Sequence, residues 1–190
     1  MRERLRRVAV VGTSGCGKTT FARALGARLG VPHVELDTLY WGPGWTPVPA
    51  ELFRERVEAA TSAPAWVSDG NYSAVRDLVW QRATALVWLD YPFRVVFSRA
   101  VARTLTRIWS QQELFAGNRE SLRGILDPEW IPWWVLRTYR RRRREYPVLL
   151  ARRECGHLFV NVLRDPREAE EFLARLAPDQ GNPTDLPGLS

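Results

Sequence analysis

The residues best suited to chemistry form the segment GTSGCGKT at positions 12–19. Its glycines let successive backbone N–H groups turn inward around phosphate oxygens, and the start of a following helix adds the positive end of its dipole. In a GxxxxGKT loop, Lys18 reaches the β- and γ-phosphates and the Thr19 hydroxyl binds Mg²⁺. We therefore predict an ATP–Mg²⁺ site, and the expected contacts are Gly12, Thr13, Ser14, Gly15, Cys16, Gly17, Lys18, Thr19 and Thr20.

Lys18 is the only lysine in a chain that contains 27 arginines. A compact ammonium and a planar guanidinium are not interchangeable at a phosphate. The use of lysine at this one position therefore favours a catalytic role for Lys18.

Two carboxylates follow predicted strands, and ligands bind outside the carboxyl ends of parallel strands. Asp37 follows an apolar stretch at 31–36, and it could take a proton from an acceptor hydroxyl or simply cap a helix. Asp69 follows the stretch 65–68, and it could orient the acceptor or Mg²⁺, in the latter case through water, or form an ordinary Asp-Gly turn. We include Asn71 among the acceptor contacts.

An aromatic loop and a row of arginines extend this candidate site. Residues 38–47 combine aromatic and turn-forming residues, so they could form an acceptor pocket, with Trp41 and Trp45 as the tryptophans expected to touch a ligand. Arg99 and Arg103 are four residues apart on a predicted helix and share one face. That face could grip ATP phosphates during transfer, or it could be a solvated basic surface.

Strands that alternate with helices must position these groups. Apolar runs predict strands at 7–11, 31–36, 65–68, 85–89 and 157–161. Helical patterns cover 20–29, 49–61, 93–109, 132–146 and a final stretch that ends near 176. This alternation predicts a three-layer α/β/α fold of the P-loop NTPase type, with a five-stranded parallel sheet covered on both faces.

The chain length of 190 residues favours one domain, which we place at 1–177. Within it, residues 38–62 are the acceptor-side segment and residues 110–131 a lid-like segment. Residues 178–190 carry Pro and Gly without periodicity, so we expect a disordered tail. Cys16 and Cys155 have no metal-ligand spacing, and no structural metal is indicated.

The net charge of +7 favours a polyanionic partner, which could be a nucleotide, a nucleic acid or an acidic membrane surface. No run of eighteen apolar residues predicts a membrane span, so we expect a cytoplasmic protein that does not associate with membranes. We expect a monomer or a weak dimer.

The motifs together resemble adenylate-kinase-like P-loop kinases, and within them the bacterial FlaR-like (DNA topology modulation protein) family. The resemblance covers about residues 7–176. It rests on the segments ELDTLYW at 35–41, PGW at 43–45, WVSDGNY at 66–72 and GNRE at 117–120.

This resemblance implies an ATP- and Mg²⁺-dependent kinase with a lid, acting on a nucleotide, a nucleoside or another small phosphate or hydroxyl acceptor. It also implies that Pro92 with Arg99 and Arg103 follows the kinase pattern. Arg142, with Tyr146 four residues later, matches a later motif that contacts substrate, and Arg137 one turn earlier would be catalytic. Asp37 is similar to the acceptor-hydroxyl aspartate of shikimate- and gluconate-kinase-like enzymes.

An alternative from another functional class stays open. The five consecutive arginines at 140–144 encircle a predicted helix, so most of them are expected to be solvated. In this alternative the protein is an ATP-binding, nucleic-acid-associated regulator that uses the Arg-rich helix.

Overall fold

A computed structural model describes residues 2–110, 113–118 and 131–176. Five strands form one parallel sheet in the order β2-β3-β1-β4-β5. The strands are β1 (Arg7–Gly12), β2 (His33–Glu35), β3 (Trp66–Asp69), β4 (Ala85–Leu89) and β5 (Phe159–Leu163). The predicted five-stranded parallel sheet is confirmed, and its central strand is the one that leads into the glycine-rich loop.

Helices cover both faces of the sheet. They are α1 (Lys18–Leu29), α2 (Leu36–Tyr40), α3 (Ala50–Ala60), α4 (Arg76–Arg82), α5 (Phe93–Ser110), α6 (Ile131–Leu150) and α7 (Pro166–Ala174). Side chains of β1 point alternately to the two faces of the sheet, so the strand contributes to two cores. Val8 and Val10 pack with α1, α5 and α7. Ala9 and Val11 pack with α3 and α4 on the other face. Because a core lies on each face of the sheet, the predicted three-layer α/β/α arrangement is confirmed.

Helix α6 contributes to both cores and is longer than its sequence pattern predicts. Val135 and Tyr139 lie in the α1-side core, whereas Tyr146 and Leu149 lie in the α3-side core. The helix continues through Pro147, which lacks a backbone donor and usually ends a helix. Burial of Tyr146 and Leu149 helps to offset that lost hydrogen bond.

Two sequence-based strand boundaries were wrong, and two helices were missed. Strand β2 ends at Glu35, so Asp37 lies in the first turn of α2 and not at a strand end. Helices α2 and α4 are both short, and neither was predicted. Strand β5 begins at Phe159 and not at His157. Short elements carry few periods of hydrophobic pattern, and their packing partners decide them.

Part of the predicted domain plan falls outside the described residues. Of the lid-like segment 110–131, only its two ends and residues 113–118 are described. The predicted tail at 178–190 is not described at all. The acceptor-side segment 38–62 is described throughout and contains a single-turn helix at Pro43–Trp45.

Candidate functional site

The glycine-rich loop has the shape that backbone phosphate binding needs. Gly12, Gly15 and Gly17 have φ values of 153°, 89° and 89°. A Cβ on Gly15 would lie 2.6 Å from the Val96 carbonyl oxygen, so the loop packs against α5 in a way that only glycine allows. The loop is therefore fixed against α5 before any ligand arrives.

Helix α1 begins directly after this loop and points its amino-terminal end into it. Gly17 is the N-cap residue and makes no side-chain capping bond, so no side chain competes with an anion there. Lys18 Nζ donates to the Thr13 carbonyl oxygen at 3.2 Å. Thr13 is buried, Ser14 is half-buried and Thr20 is exposed at the start of α1.

Burial raises the pKa of the Cys16 thiol, while Lys18, Arg103 and Arg142 lower it. Cys16 is 1% exposed, so its side chain is closed to a nucleotide, and its backbone N–H donates to the Thr13 carbonyl oxygen at 3.2 Å. Lys18, Arg103 and Arg142 are therefore close enough for their charges to act on this thiol.

Thr19 and two carboxylates form the predicted metal side of the site. The Thr19 hydroxyl donates to Asp69 Oδ2 at 2.7 Å and lies 3.4 Å from Glu35 Oε1. Burial, followed by the nearby charges of Asp69 and Asp37, raises the pKa of Glu35. This crowding of negative charge is the electrostatic setting that a cation relieves.

No group of three or more His, Cys, Asp or Glu side chains in the described part of the chain could hold a metal ion by itself. Mg²⁺ commonly keeps several waters and takes its other ligands from one or two protein groups and the nucleotide phosphates. Thr19, Asp69 and Glu35 fit that requirement. Glu35 was not among the predicted site residues, although it ends β2 as Asp69 ends β3.

Asp37 lies beside this cluster and is held by a tyrosine. The Tyr72 hydroxyl donates to Asp37 Oδ1 at 2.5 Å. Burial and the neighbouring Asp37 raise the pKa of Tyr72 well above its ordinary value, so Tyr72 stays a donor. The bond fixes one carboxylate oxygen of Asp37, and no hydrogen bond from another described residue reaches the second. Tyr72 was not singled out from the sequence.

Aromatic rings line the acceptor side next to Asp37. Tyr40 packs against Tyr72 at a centroid distance of 4.4 Å and against Trp41 at 4.8 Å. Trp41 in turn meets Trp45 edge-on at 5.6 Å. Both tryptophans are half-buried, so the structure places the predicted ligand contacts in one wall of rings.

The acceptor loop is tied to the segment 113–118 by Asn118. Its Oδ1 accepts from the Trp45 N–H at 3.0 Å, and its Nδ2 donates to the Gly42 carbonyl at 2.9 Å. Asn118 is 6% exposed and Trp45 has a φ of 56°, unusual for a non-glycine residue. The side-chain amide therefore holds a strained turn in place. Arg119 and Glu120, the next residues of that motif, lie outside the described ranges.

Asn71 makes contacts different from the acceptor contact expected of it. Its Oδ1 accepts from the Gly12 N–H at 3.3 Å and from the Tyr146 hydroxyl at 2.7 Å, and its Nδ2 donates to the Gly12 carbonyl. Both ends of the amide are thus used to join the phosphate loop to α6. Any acceptor contact by Asn71 would have to compete with these bonds.

Three of the predicted arginines, Arg99, Arg103 and Arg142, lie near the phosphate loop. The Arg99 guanidinium lies over the Tyr91 ring at 5.8 Å, and its Nη1 is 3.8 Å from where a Cβ on Gly17 would lie. Arg103 follows one turn later and is half-buried. Arg142 Nη1 is 3.5 Å from the Gly12 carbonyl oxygen, and burial lowers the pKa of Arg142.

Arg137 is placed differently from the other three. It is exposed on α6 and makes no hydrogen bond or ion pair with another described residue. The structure therefore brings Arg99, Arg103 and Arg142 to the phosphate loop and does not bring Arg137 there. The catalytic role of Arg137 stays a prediction.

No helix of the described residues is long and apolar enough to cross a membrane.

No protein-family model matches the chain, and no curated protein is similar to it in sequence. A shikimate kinase from Bacteroides thetaiotaomicron aligns over 90% of this chain and 96% of its own, with 18% identity and a TM-score of 0.54. A gluconokinase from Sinorhizobium meliloti 1021 aligns over 91% and 94%, with 20% identity and a TM-score of 0.49. The chain has the α/β fold of the P-loop kinases.

Proposed function

We propose that the protein is an ATP- and Mg²⁺-dependent phosphotransferase that acts on a small acceptor. One observation carries the proposal: the phosphate loop, the Thr19–Asp69 pair and the Tyr72-bound Asp37 meet at the carboxyl ends of neighbouring strands. Such an arrangement supplies cations for the nucleotide and a carboxylate for the acceptor. Loose phosphoryl transfer needs little more than positioning and charge stabilisation.

In the proposed reaction the acceptor oxygen attacks the γ-phosphorus while the bond to the β-phosphate oxygen breaks, so ADP leaves. The hydroxyl proton passes to the second oxygen of Asp37, from which it exchanges with water. Lys18, Arg99 and Arg142 neutralise the oxygens that gain charge. Thr19, with Asp69 and Glu35 acting through water, would hold Mg²⁺, which would supply further charge neutralisation.

The acceptor would lie between Asp37 and the aromatic wall formed by Tyr40, Trp41 and Trp45. A ring with one polar edge suits this place, as in a nucleoside, a nucleotide or a cyclic polyol, because its face can pack on the aromatic rings while a hydroxyl reaches Asp37. Membership in the FlaR-like branch is part of the proposal and rests on the motifs at 35–45, 66–72 and 117–120.

A panel of acceptors tests the proposal. We expect one class among nucleotides, nucleosides, shikimate, sugars, sugar acids and short oligonucleotides to stimulate Mg²⁺-dependent ADP release. The matched variant Asp37→Asn should bind ATP as the wild type does and lose the stimulation by about 10²–10⁴-fold, the range for one general base. If no member raises ADP release above the rate with water alone, the small-acceptor function is wrong.

A second candidate, nucleic-acid association, is favoured by the outer surface of α6. Arg142 faces the phosphate loop and Arg143 pairs with Asp90, but Arg140, Arg141 and Arg144 are exposed. The last two line an open groove together with Arg152. Within the described part of the chain none of these outward guanidiniums has an ion-pair partner, so they are available to an external polyanion.

A further inference from the structure

His33 lies beneath the metal side of the site, on the face of the sheet that α1 covers. Strand β2 pairs with β3 in a register that sets Glu35 opposite Asp69 and His33 opposite Val67. Side chains two residues apart share a face, so His33, Glu35 and Asp69 project to the same side. The side chain of His33 is 14% exposed and that of Asp69 is 4% exposed.

Gly26 of α1 lets the helix approach the chain that leads into β2. A Cβ on Gly26 would lie 3.0 Å from the Val31 carbonyl oxygen and 3.7 Å from the Cβ of His33. Glycine inside a helix costs about 1 kcal/mol relative to alanine, so its presence there indicates a packing requirement. Helix α1 therefore lies directly against the backbone that positions His33.

Each oxygen of Asp69 has its own partner. His33 Nε2 lies 2.7 Å from Oδ1, and the Thr19 hydroxyl lies 2.7 Å from Oδ2. A buried carboxylate needs such partners to remain charged, and two of them on different oxygens fix the plane of the group. Because the Thr19 hydroxyl gives its hydrogen to Asp69, its lone pairs point away from that carboxylate and are available to a cation.

We infer that His33 is a positioning residue for the metal side of the phosphate site, acting through Asp69 on Thr19. The Nε2–H group donates to Asp69, holds the carboxylate plane, and so directs the Thr19 hydroxyl. The inference rests on the proposed roles of Thr19 and Asp69 in Mg²⁺ binding. It depends on where a hydrogen-bond donor lies, and it assigns no contact between His33 and the ion or the nucleotide.

Three substitutions separate this role from simple space filling. In His33→Gln the amide nitrogen is separated from Cβ by the same number of bonds as Nε2, whereas in His33→Asn it corresponds to Nδ1. His33→Phe keeps the ring and removes the donor. His157→Gln is the matched control, because His157 is the only other histidine and its ring contacts the Trp80 carbonyl, away from this site.

The measurement is the Mg²⁺ concentration that half-saturates binding of a non-hydrolysable ATP analogue, together with the affinity for the same analogue in EDTA. We expect His33→Phe and His33→Asn to need at least about 10-fold more Mg²⁺, the lower end of the effect of losing a group that orients a metal ligand. His33→Gln and the His157 control should stay near the wild-type value. Affinity in EDTA should be unchanged in all four variants.

Several outcomes would overturn the inference. One is a wild-type Mg²⁺ response in His33→Phe, and another is a loss in His33→Gln as large as in His33→Phe. A parallel loss of affinity in EDTA would show that the ring only supports the loop. If His33→Phe does not fold, the contrast between Gln and Asn still decides.

The proposed function fails separately from this inference. A wild-type protein that does not bind the analogue at all contradicts both. A wild-type protein that transfers phosphate to an acceptor while the His33 variants show no change in Mg²⁺ response contradicts only the role of His33.

Discussion

Lys18 is the residue with the most direct role in the proposed phosphate transfer. Its ammonium donates to the Thr13 carbonyl within the same loop, so a loop carbonyl holds the side chain in place. A longer, planar guanidinium cannot take the same place between β- and γ-oxygens. The loop itself is shaped by its glycines, so the fold does not depend on the side chain of Lys18.

We therefore predict that Lys18→Arg lowers turnover by at least about 100-fold, which corresponds to roughly 2.7 kcal/mol of transition-state stabilisation. The melting temperature without ligand should stay the same, while its increase with ATP should shrink. Steady-state kinetics and thermal melts measure both effects. Wild-type turnover in this variant would mean that Lys18 does not contact the transferred phosphate.

Between elements, Asn118 joins the acceptor loop to the segment that precedes α6. We predict that Asn118→Ala releases the loop, because it removes two hydrogen bonds from a turn in which Trp45 has a positive φ. Amide exchange at Gly42 and Trp45 should accelerate by about 10-fold, the effect of losing roughly 1.4 kcal/mol of local stability.

The variant Asn118→Asp is the control for this prediction. It keeps an acceptor for the Trp45 N–H group and loses the donor to Gly42, so its exchange rates should fall between those of the wild type and Asn118→Ala. Equal exchange rates in all three proteins would show that the amide does not hold the loop.

A second link between elements is the ion pair of α6 with the end of β4. Arg143 contacts both oxygens of Asp90, at 2.8 and 2.9 Å, and Asp90 is 8% exposed. Burial raises the pKa of Asp90, and the charge of Arg143 opposes that shift. A carboxyl with a raised pKa contributes stability below its unfolded pKa of about 3.9 and loses that contribution as pH rises through its folded pKa.

We predict that Arg143→Gln destabilises the protein at pH 7 by about 1 kcal/mol. This is less than the loss expected for a fully buried ion pair, because the side chain of Arg143 is half-exposed. The difference from wild type should shrink as pH falls through the raised pKa of Asp90, because the carboxyl is then protonated. Denaturant unfolding at several pH values measures it, with Arg144→Gln as the unpaired control. A difference that is constant with pH would show that the arginine acts by packing alone.

The elements that could be predicted are those specified by local pattern. Strand β4 and the start of α5 match their apolar runs, and the phosphate loop follows from its glycine spacing alone. The contacts of His33, Tyr72 and Asn118 could not be predicted in this way, since each depends on which strands are neighbours or on how a loop folds back. Glu35 could have been included among the site residues, because it ends a strand as Asp69 does. That prediction required the correct end of β2.

At the scale of the whole molecule, the site lies along one edge of the sheet. Gly12, Glu35, Asp69 and Asp90 all lie at or just beyond the carboxyl ends of parallel strands. In the order β2-β3-β1-β4-β5, the strands β2 and β3 lie on one side of β1, and β4 and β5 lie on the other. The connections that leave β1 in opposite directions open a crevice beside its carboxyl end. Nucleotide and acceptor would share this crevice, while the outer face of α6 lies apart from it.

That separation gives a prediction for the basic surface. Replacing Arg140, Arg141 and Arg144 together with Gln should leave acceptor-dependent turnover unchanged. If the outer face of α6 binds nucleic acid, the slope of log affinity against log salt should fall by up to about 3, since each lost phosphate contact contributes roughly 0.9. Fluorescence anisotropy of a labelled oligonucleotide measures the slope.

The control for the basic surface replaces three exposed arginines on other parts of the chain, Arg6, Arg94 and Arg167, which changes the net charge equally. Equal slopes for the two triple variants would show that only total charge matters. A flat salt response of the wild type would exclude nucleic-acid association.

The single lysine also makes the phosphate loop chemically unique. Apart from the amino terminus of the chain, Lys18 carries the only aliphatic amine, and its side chain is partly accessible. An amine-acylating reagent should therefore add one mass increment at a single internal position, and ATP with Mg²⁺ should protect that position. Mass spectrometry of the labelled protein would then report occupancy of the nucleotide site directly, without a known acceptor and without any turnover.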